Sequence, residues 1–153
     1  MKQIVDSFYN AIKSGDNEML WSLIHDDFTL LCPTRDHILS GMYQGKSRFF
    51  EEVLPQVFSC VDPEQIVFCN DYRILCEGKD TVVALAVNKG RARSGEFYDQ
   101  AYLHVFKCTE GQALTLIEGF DTALANRALW GGSEALPADE DFSIACLDAL
   151  GFA

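Results

Sequence analysis

Apolar positions along the chain follow two rhythms. From residue 3 to 14, Ile4, Val5, Phe8, Ala11 and Ile12 recur on one face of a 3.6-residue turn, which predicts a helix. Gly15 suits the left-handed residue past its end. Asp16 suits the N-cap of a second helix over 17–25, with Met19, Leu20, Leu23 and Ile24 turned inward. Residues 28–32 read as a strand stopped by Pro33. A polar loop with Gly41 and Gly45 follows, and then a third helix over 46–54, broken at Pro55. After that the period changes to two. Strands are predicted over 65–70, 72–76, 81–88, 98–107 and 113–120, with a hairpin turn at 77–80 and a tight turn at 109–111. Asp121 or Thr122 caps a short helix ending near Trp130.

Three helices followed by antiparallel strands predict an α+β fold, with the helices on one face of a strongly twisted sheet and a pocket in the hollow between them. Residues 1–130 form the predicted domain. Residues 131–153 form an acidic extension: Glu134, Asp139, Glu140, Asp141 and Asp148 carry five of the eleven net negative charges, with no Lys or Arg among them. Phe142, Ile144, Ala145, Leu147 and Leu150 give it enough apolar character to dock, with Asp139 at the start of a short helix.

Composition narrows the function classes. The 153 residues fit one domain with its own core, and no apolar run approaches a membrane span. A net charge of -11 repels phosphate backbones and argues against nucleic-acid binding. Cys32, Cys60, Cys69, Cys76, Cys108 and Cys146 form no CxxC or CxxH cluster, so neither zinc nor any other metal is expected. Asp6 interrupts the only N-terminal apolar run, so no secretory leader is read and the thiols are expected free in the cytoplasm. There is no Gly-rich phosphate loop, and no cofactor is implied.

Period two puts Tyr102, His104 and Phe106 on one face of a strand, and Leu116, Glu118 and Phe120 on one face of the next. A tight turn at Glu110-Gly111 sets His104 opposite residue 116 or 118. If both faces turn inward, an imidazole and a carboxyl meet in an apolar pocket. The alternative is a sheet histidine at a subunit interface, or one hydrogen-bonded in the core. Asn88 reads either as a turn residue at a strand end or as a polar anchor in the pocket. Trp21 and Phe50 are read as core or pocket wall. His25 and His37 fall in segments read as exposed.

Tyr43-Gln44-Gly45-Lys46 with Phe49 and Phe50 resembles the Y-x-G-x-x-x-F turn of SnoaL-like proteins. Residues 90–106, then Glu110-Gly111 and residues 118–122, resemble their C-terminal hairpin. The resemblance covers about residues 3 to 130 and implies the nuclear-transport-factor-2-like fold shared by polyketide cyclases, ketosteroid isomerases and limonene-epoxide hydrolases. It implies a cone with an apolar pocket, usually in a homodimer built on the outer sheet face. Ketosteroid isomerase chemistry needs a carboxylate where this chain has Cys32 and a helix 1 tyrosine where it has Phe8, with Tyr9 pointing elsewhere. Epoxide hydrolysis keeps only Glu118 of its residue set. Cyclases of the SnoaL type place a histidine and an acid where this chain has His104 and Glu118. The resemblance therefore implies a small, mostly apolar ligand held by Phe8, Leu30, Cys32, Phe58, Asn88, Tyr102, Leu116 and Phe120. Proton transfer by Glu118 and His104 is the expected chemistry, and the alternative is a non-catalytic binding or dimerisation module.

Overall fold

Val5, Phe8, Tyr9 and Ala11 fall on one stripe of the first helix, α1 (Lys2–Ser14), and all are buried. Gly15 ends it in the left-handed conformation, φ 68°. The Asp16 carboxylate accepts the Met19 N–H at 2.9 Å and starts α2 (Asn17–Leu23). A computed structural model of the chain describes residues 1–35, 37–131 and 134–152.

The second helix is shorter than its periodicity predicts. The β-branched Ile24 is extended and pairs with Ala113, so it and His25 open strand β1 (Ile24–Cys32) instead. Only Leu20 of α2 is buried, and Met19 faces outward at 42% exposure. The loop read between Pro33 and the third helix contains a four-residue strand, β2 (Gly41–Gln44), too short to leave an alternation.

The third helix does not break at Pro55. It runs as α3 (Lys46–Arg48), a π-helical turn (Phe49–Val53) and α4 (Leu54–Phe58). Pro55 falls in the first turn of α4, just past the widened turn, where a missing N–H costs little.

The strands expected at 65–70 and 72–76 are one, β3 (Val61–Glu77). Its register against β4 (Thr81–Ala92) slips between Val67 and Asp71, where Cys69 takes φ 50°. This bulge, not a turn, breaks the alternation. β5 (Ala101–Thr109) and β6 (Gln112–Phe120) are joined through Glu110 and Gly111, both at positive φ (48° and 83°). A two-residue turn of that kind matches the twist of the flanking strands.

The six strands lie in the order β2-β1-β6-β5-β4-β3, and all pairs are antiparallel except β1 with β6. The concave face holds α1 and the 46–58 helix over one continuous apolar core. α5 (Thr122–Ala125) is capped by the Asp121 carboxylate and runs into a π-helical turn (Asn126–Trp130).

The final helix, α6 (Ala145–Ala149), begins later than the acidic tail suggests. Asp139 does not cap it. Its carboxylate accepts the Gln44 N–H at 2.7 Å and pairs with Arg48. Cys146, Leu147, Leu150 and Phe142 pack on Leu31, Met42 and Ile117, on the convex side of the sheet, while Ile144 stays 75% exposed. None of the described helices is long and apolar enough to cross a membrane.

Candidate functional site

The β5–β6 register sets His104 opposite Glu118 and Tyr102 opposite Phe120, on the concave face. Across β5, His104 is opposite Ala84 and Tyr102 opposite Ala86. These two small residues leave room for the large rings beside them. Tyr102 and His104 stack with centroids 5.3 Å apart.

His104 is 2% exposed and bonded at both ring nitrogens. Its Nε2 lies 3.1 Å from Glu118 Oε2, and its Nδ1 lies 2.9 Å from the Tyr9 hydroxyl. Burial holds the Tyr9 phenol far above its ordinary pKa, so it keeps its proton. A carboxylate only accepts, so Nε2–H faces Glu118, and the tautomer with its proton there takes the Tyr9 O–H at Nδ1. The arrangement is a Tyr9–His104–Glu118 chain running from α1 to β6.

The cavity lies between this chain and the helices. Its volume is about 90 Å³, and aliphatic and aromatic side chains from α1, α4, β1, β6 and the 126–130 turn make up most of its wall. Glu118 supplies the one carboxylate of that lining, with its side chain 22% exposed. Its Oε1 takes no protein hydrogen bond among the described residues.

Of the residues expected at the site, His104, Glu118, Phe8, Leu30, Phe58, Tyr102, Leu116 and Phe120 lie around this one cavity. Phe58 stands at its solvent edge, 38% exposed. Cys32 and Asn88 do not line it. Cys32 is fully buried on β1, and burial pushes its thiol well above the ordinary pKa, so it is no thiolate nucleophile. Asn88 sits inside β4, where its Oδ1 accepts the Cys69 N–H at 3.0 Å and pins the β3 bulge. Its Nδ2 donates to the Tyr102 hydroxyl at 3.2 Å. Trp21 is no cavity residue either; 44% exposed, it packs on Phe50 under the Lys46 ammonium.

Three polar side chains were not anticipated here. Tyr9 does not point away from the site, although its place at i+4 from Val5 and i+1 from Phe8 puts it inside the apolar stripe. Tyr98 lines the cavity from the segment before β5, and its hydroxyl lies 3.1 Å from that of Tyr102. His37 is not exposed: it is buried beside Phe120, and Trp130 Nε1–H donates to its Nε2 at 2.8 Å. All six cysteines are free thiols, and no group of acids, histidines and cysteines among the described residues is arranged to hold a metal ion.

No family profile matches the chain, and no curated protein matches it in sequence. Solved structures do match in shape. A candidate isomerase from Bacillus subtilis superposes at TM-score 0.69 and 16% identity, over 88% of this chain and 94% of its own. A nuclear-transport-factor-2-like protein of unknown function from Burkholderia pseudomallei gives 0.70 and 20%, over 84% and 95%. TerC, co-crystallised with polyporic acid, gives 0.67 and 19%, over 82% and 95%. At these identities the likeness is one of architecture, and by architecture the chain has the nuclear-transport-factor-2-like α+β fold.

Proposed function

We propose that this protein binds a small, mostly apolar molecule in the cone and moves a proton on it, with Glu118 as base and acid and His104 as its partner. The observation that carries this reading is the 3.1 Å Glu118–His104 pair in an otherwise greasy wall. An ionisable pair inside apolar surroundings is costly unless it is used or fully satisfied, and Glu118 Oε1 has no protein partner among the described residues. A carboxylate there can take a proton from a carbon acid and return it to another carbon, as in double-bond isomerisation or an aldol-type ring closure. TerC, a fold relative, was co-crystallised with polyporic acid, which supports a small-molecule guest here.

The test uses 3-cyclohexenone, whose conversion to the conjugated 2-cyclohexenone requires one proton removed and one returned and is followed by ultraviolet absorbance. Wild type is expected to accelerate it above buffer, and Glu118→Gln to lose ~10²–10⁴-fold while the fold persists. Equal rates for both proteins, or no acceleration by wild type, overturn the catalytic reading.

A second reading is favoured by the cavity's size. At about 90 Å³ it is smaller than the ~150 Å³ apolar cavity known to admit benzene, so a guest requires a side chain such as Phe58 to move. On this reading the protein is a non-catalytic binding or dimerisation module. Leu85, Val87 and Leu103 are 40–47% exposed on the outer sheet face, which supports a homodimer through that face. The six free thiols support work in a reducing compartment such as the cytoplasm.

A further inference from the structure

A second, larger hollow lies outside the first. The last turn of α1, the start of α2 and the first half of β3 border a cleft of about 390 Å³. Ile12, Phe58, Val61, Ile66 and Phe68 give it an apolar floor, and the exposed Lys13, Ser14 and Asn17 rim it. Ile12, Phe58 and Phe68 also line the inner cavity, so the two spaces share a wall. In that wall Phe58 and Phe68 meet edge to face, with ring centroids 5.5 Å apart. Neither ring is tied by a hydrogen bond, since phenylalanine has no polar side-chain atom. Phe58 is the last residue of α4 and 38% exposed, so turning it outward joins the chambers. Lys13 supplies the one charge of the cleft lining, in a chain with 12 Lys and Arg against 23 Asp and Glu. Its ammonium donates to the Asn70 carbonyl at 2.9 Å and keeps two further N–H donors.

We infer that the cavity and this cleft form one elongated site for an amphiphilic acid, with its apolar end beside Glu118, its chain passing Phe58 and its carboxylate at Lys13. The inference rests on the small-molecule reading above and gives it a substrate class. Volume argues for the length of the guest. The inner chamber, at about 90 Å³, falls below the ~300–1,000 Å³ usual for small-molecule sites, and the outer cleft falls within it. Charge fixes the direction. A carboxylate placed innermost would meet Glu118 in apolar surroundings, where like charges repel strongly. At the outer end it meets a lysine with donors to spare, and water covers what the lysine does not.

The probes are the straight-chain carboxylates from hexanoate to decanoate, with 1-octanol as the uncharged control and 3-cyclohexenone as the probe of the inner cavity. They are titrated by protein-observed NMR at about 0.15 M salt, which screens the net charge. From hexanoate to decanoate, four methylenes are expected to tighten binding by ~10²-fold in wild type. Ser14→Trp, which fills the cleft from its rim, is expected to bring decanoate within ~3-fold of hexanoate and to leave 3-cyclohexenone unchanged. Lys13→Gln is expected to weaken octanoate ~3–5-fold and to leave 1-octanol within ~2-fold, and it carries the test if Ser14→Trp does not fold. Equal affinity along the series, or a length dependence that a folded Ser14→Trp keeps, overturns the inference. So does an equal effect of Lys13→Gln on octanoate and 1-octanol. In each of these cases, binding of 3-cyclohexenone leaves the pocket reading standing. Binding of neither 3-cyclohexenone nor any carboxylate by wild type overturns both.

Discussion

The Tyr9 hydroxyl, one residue past the middle of α1, lies 2.9 Å from Nδ1 of His104 on β5, ninety-five residues later. The Tyr9 O–H meeting Nδ1 favours the tautomer whose proton is on Nε2, facing Glu118. Tyr9→Phe is expected to remove this preference. The ¹⁵N shifts of His104 should move from a pure Nε2–H form toward a mixture of tautomers, and the unpaired Nδ1 should cost about 1–3 kcal/mol in denaturant unfolding. An unchanged ¹⁵N pattern would show that Glu118 alone fixes the ring.

His37 supplies a pH dependence of known sign. Burial lowers its pKa below the ordinary 6.5, only partly offset by its hydrogen bond with Leu39, and its Nε2 accepts the Trp130 indole proton. The folded state thus binds this proton less readily than the unfolded chain does. Its contribution is complete above the unfolded value and is lost as pH falls from there toward the folded one. Melting temperature is expected to drop below about pH 6.5, and His37→Gln to flatten that drop.

Gly90 permits a close crossing. It holds φ 142°, and a Cβ there would collide with the Gln65 carbonyl and the Ile66 Cα on β3. Gly90→Ala is expected to destabilise by at least ~2 kcal/mol. The loss should appear first as faster amide exchange around the Cys69 bulge, which borders the cavity.

Asp139 ties the tail to the body through the Gln44 N–H and Arg48, which also donates to the Pro137 carbonyl. Asp139→Ala is expected to cost about 1 kcal/mol and to speed proteolysis within 134–152. Equal proteolysis of wild type and variant would mean that the α6 contacts alone hold the segment.

The regular parts of this fold were legible because they obey local rules. The α1 stripe, the Gly15 and Asp16 caps and the Glu110-Gly111 turn each follow from spacing within a dozen residues, whereas which way His104 and Glu118 face was open until the register and the packing of α1 fixed it. What escaped depends on distant partners. Ile24 is strand because Ala113 pairs with it, and Tyr9 is polar inside an apolar stripe because His104 waits across the hollow. Pro55 looks like a stop until the widened turn before it is seen. The Tyr98–Tyr102–Asn88 chain depends on a bulge that alternation reports only as a gap between two strands.

The placement of α6 divides the convex surface into two unequal territories. Residues 142–150 roof the rows that run through Leu31 and Ile117, whereas Leu85 and Leu103, cross-strand neighbours, stay bare. Lys107 fastens that roof at its edge by donating to the carbonyls of Leu150 and Gly151. The bare apolar strip of this side is thereby confined to the β3–β5 half, and the acidic C-terminal segment shelters the remainder from solvent.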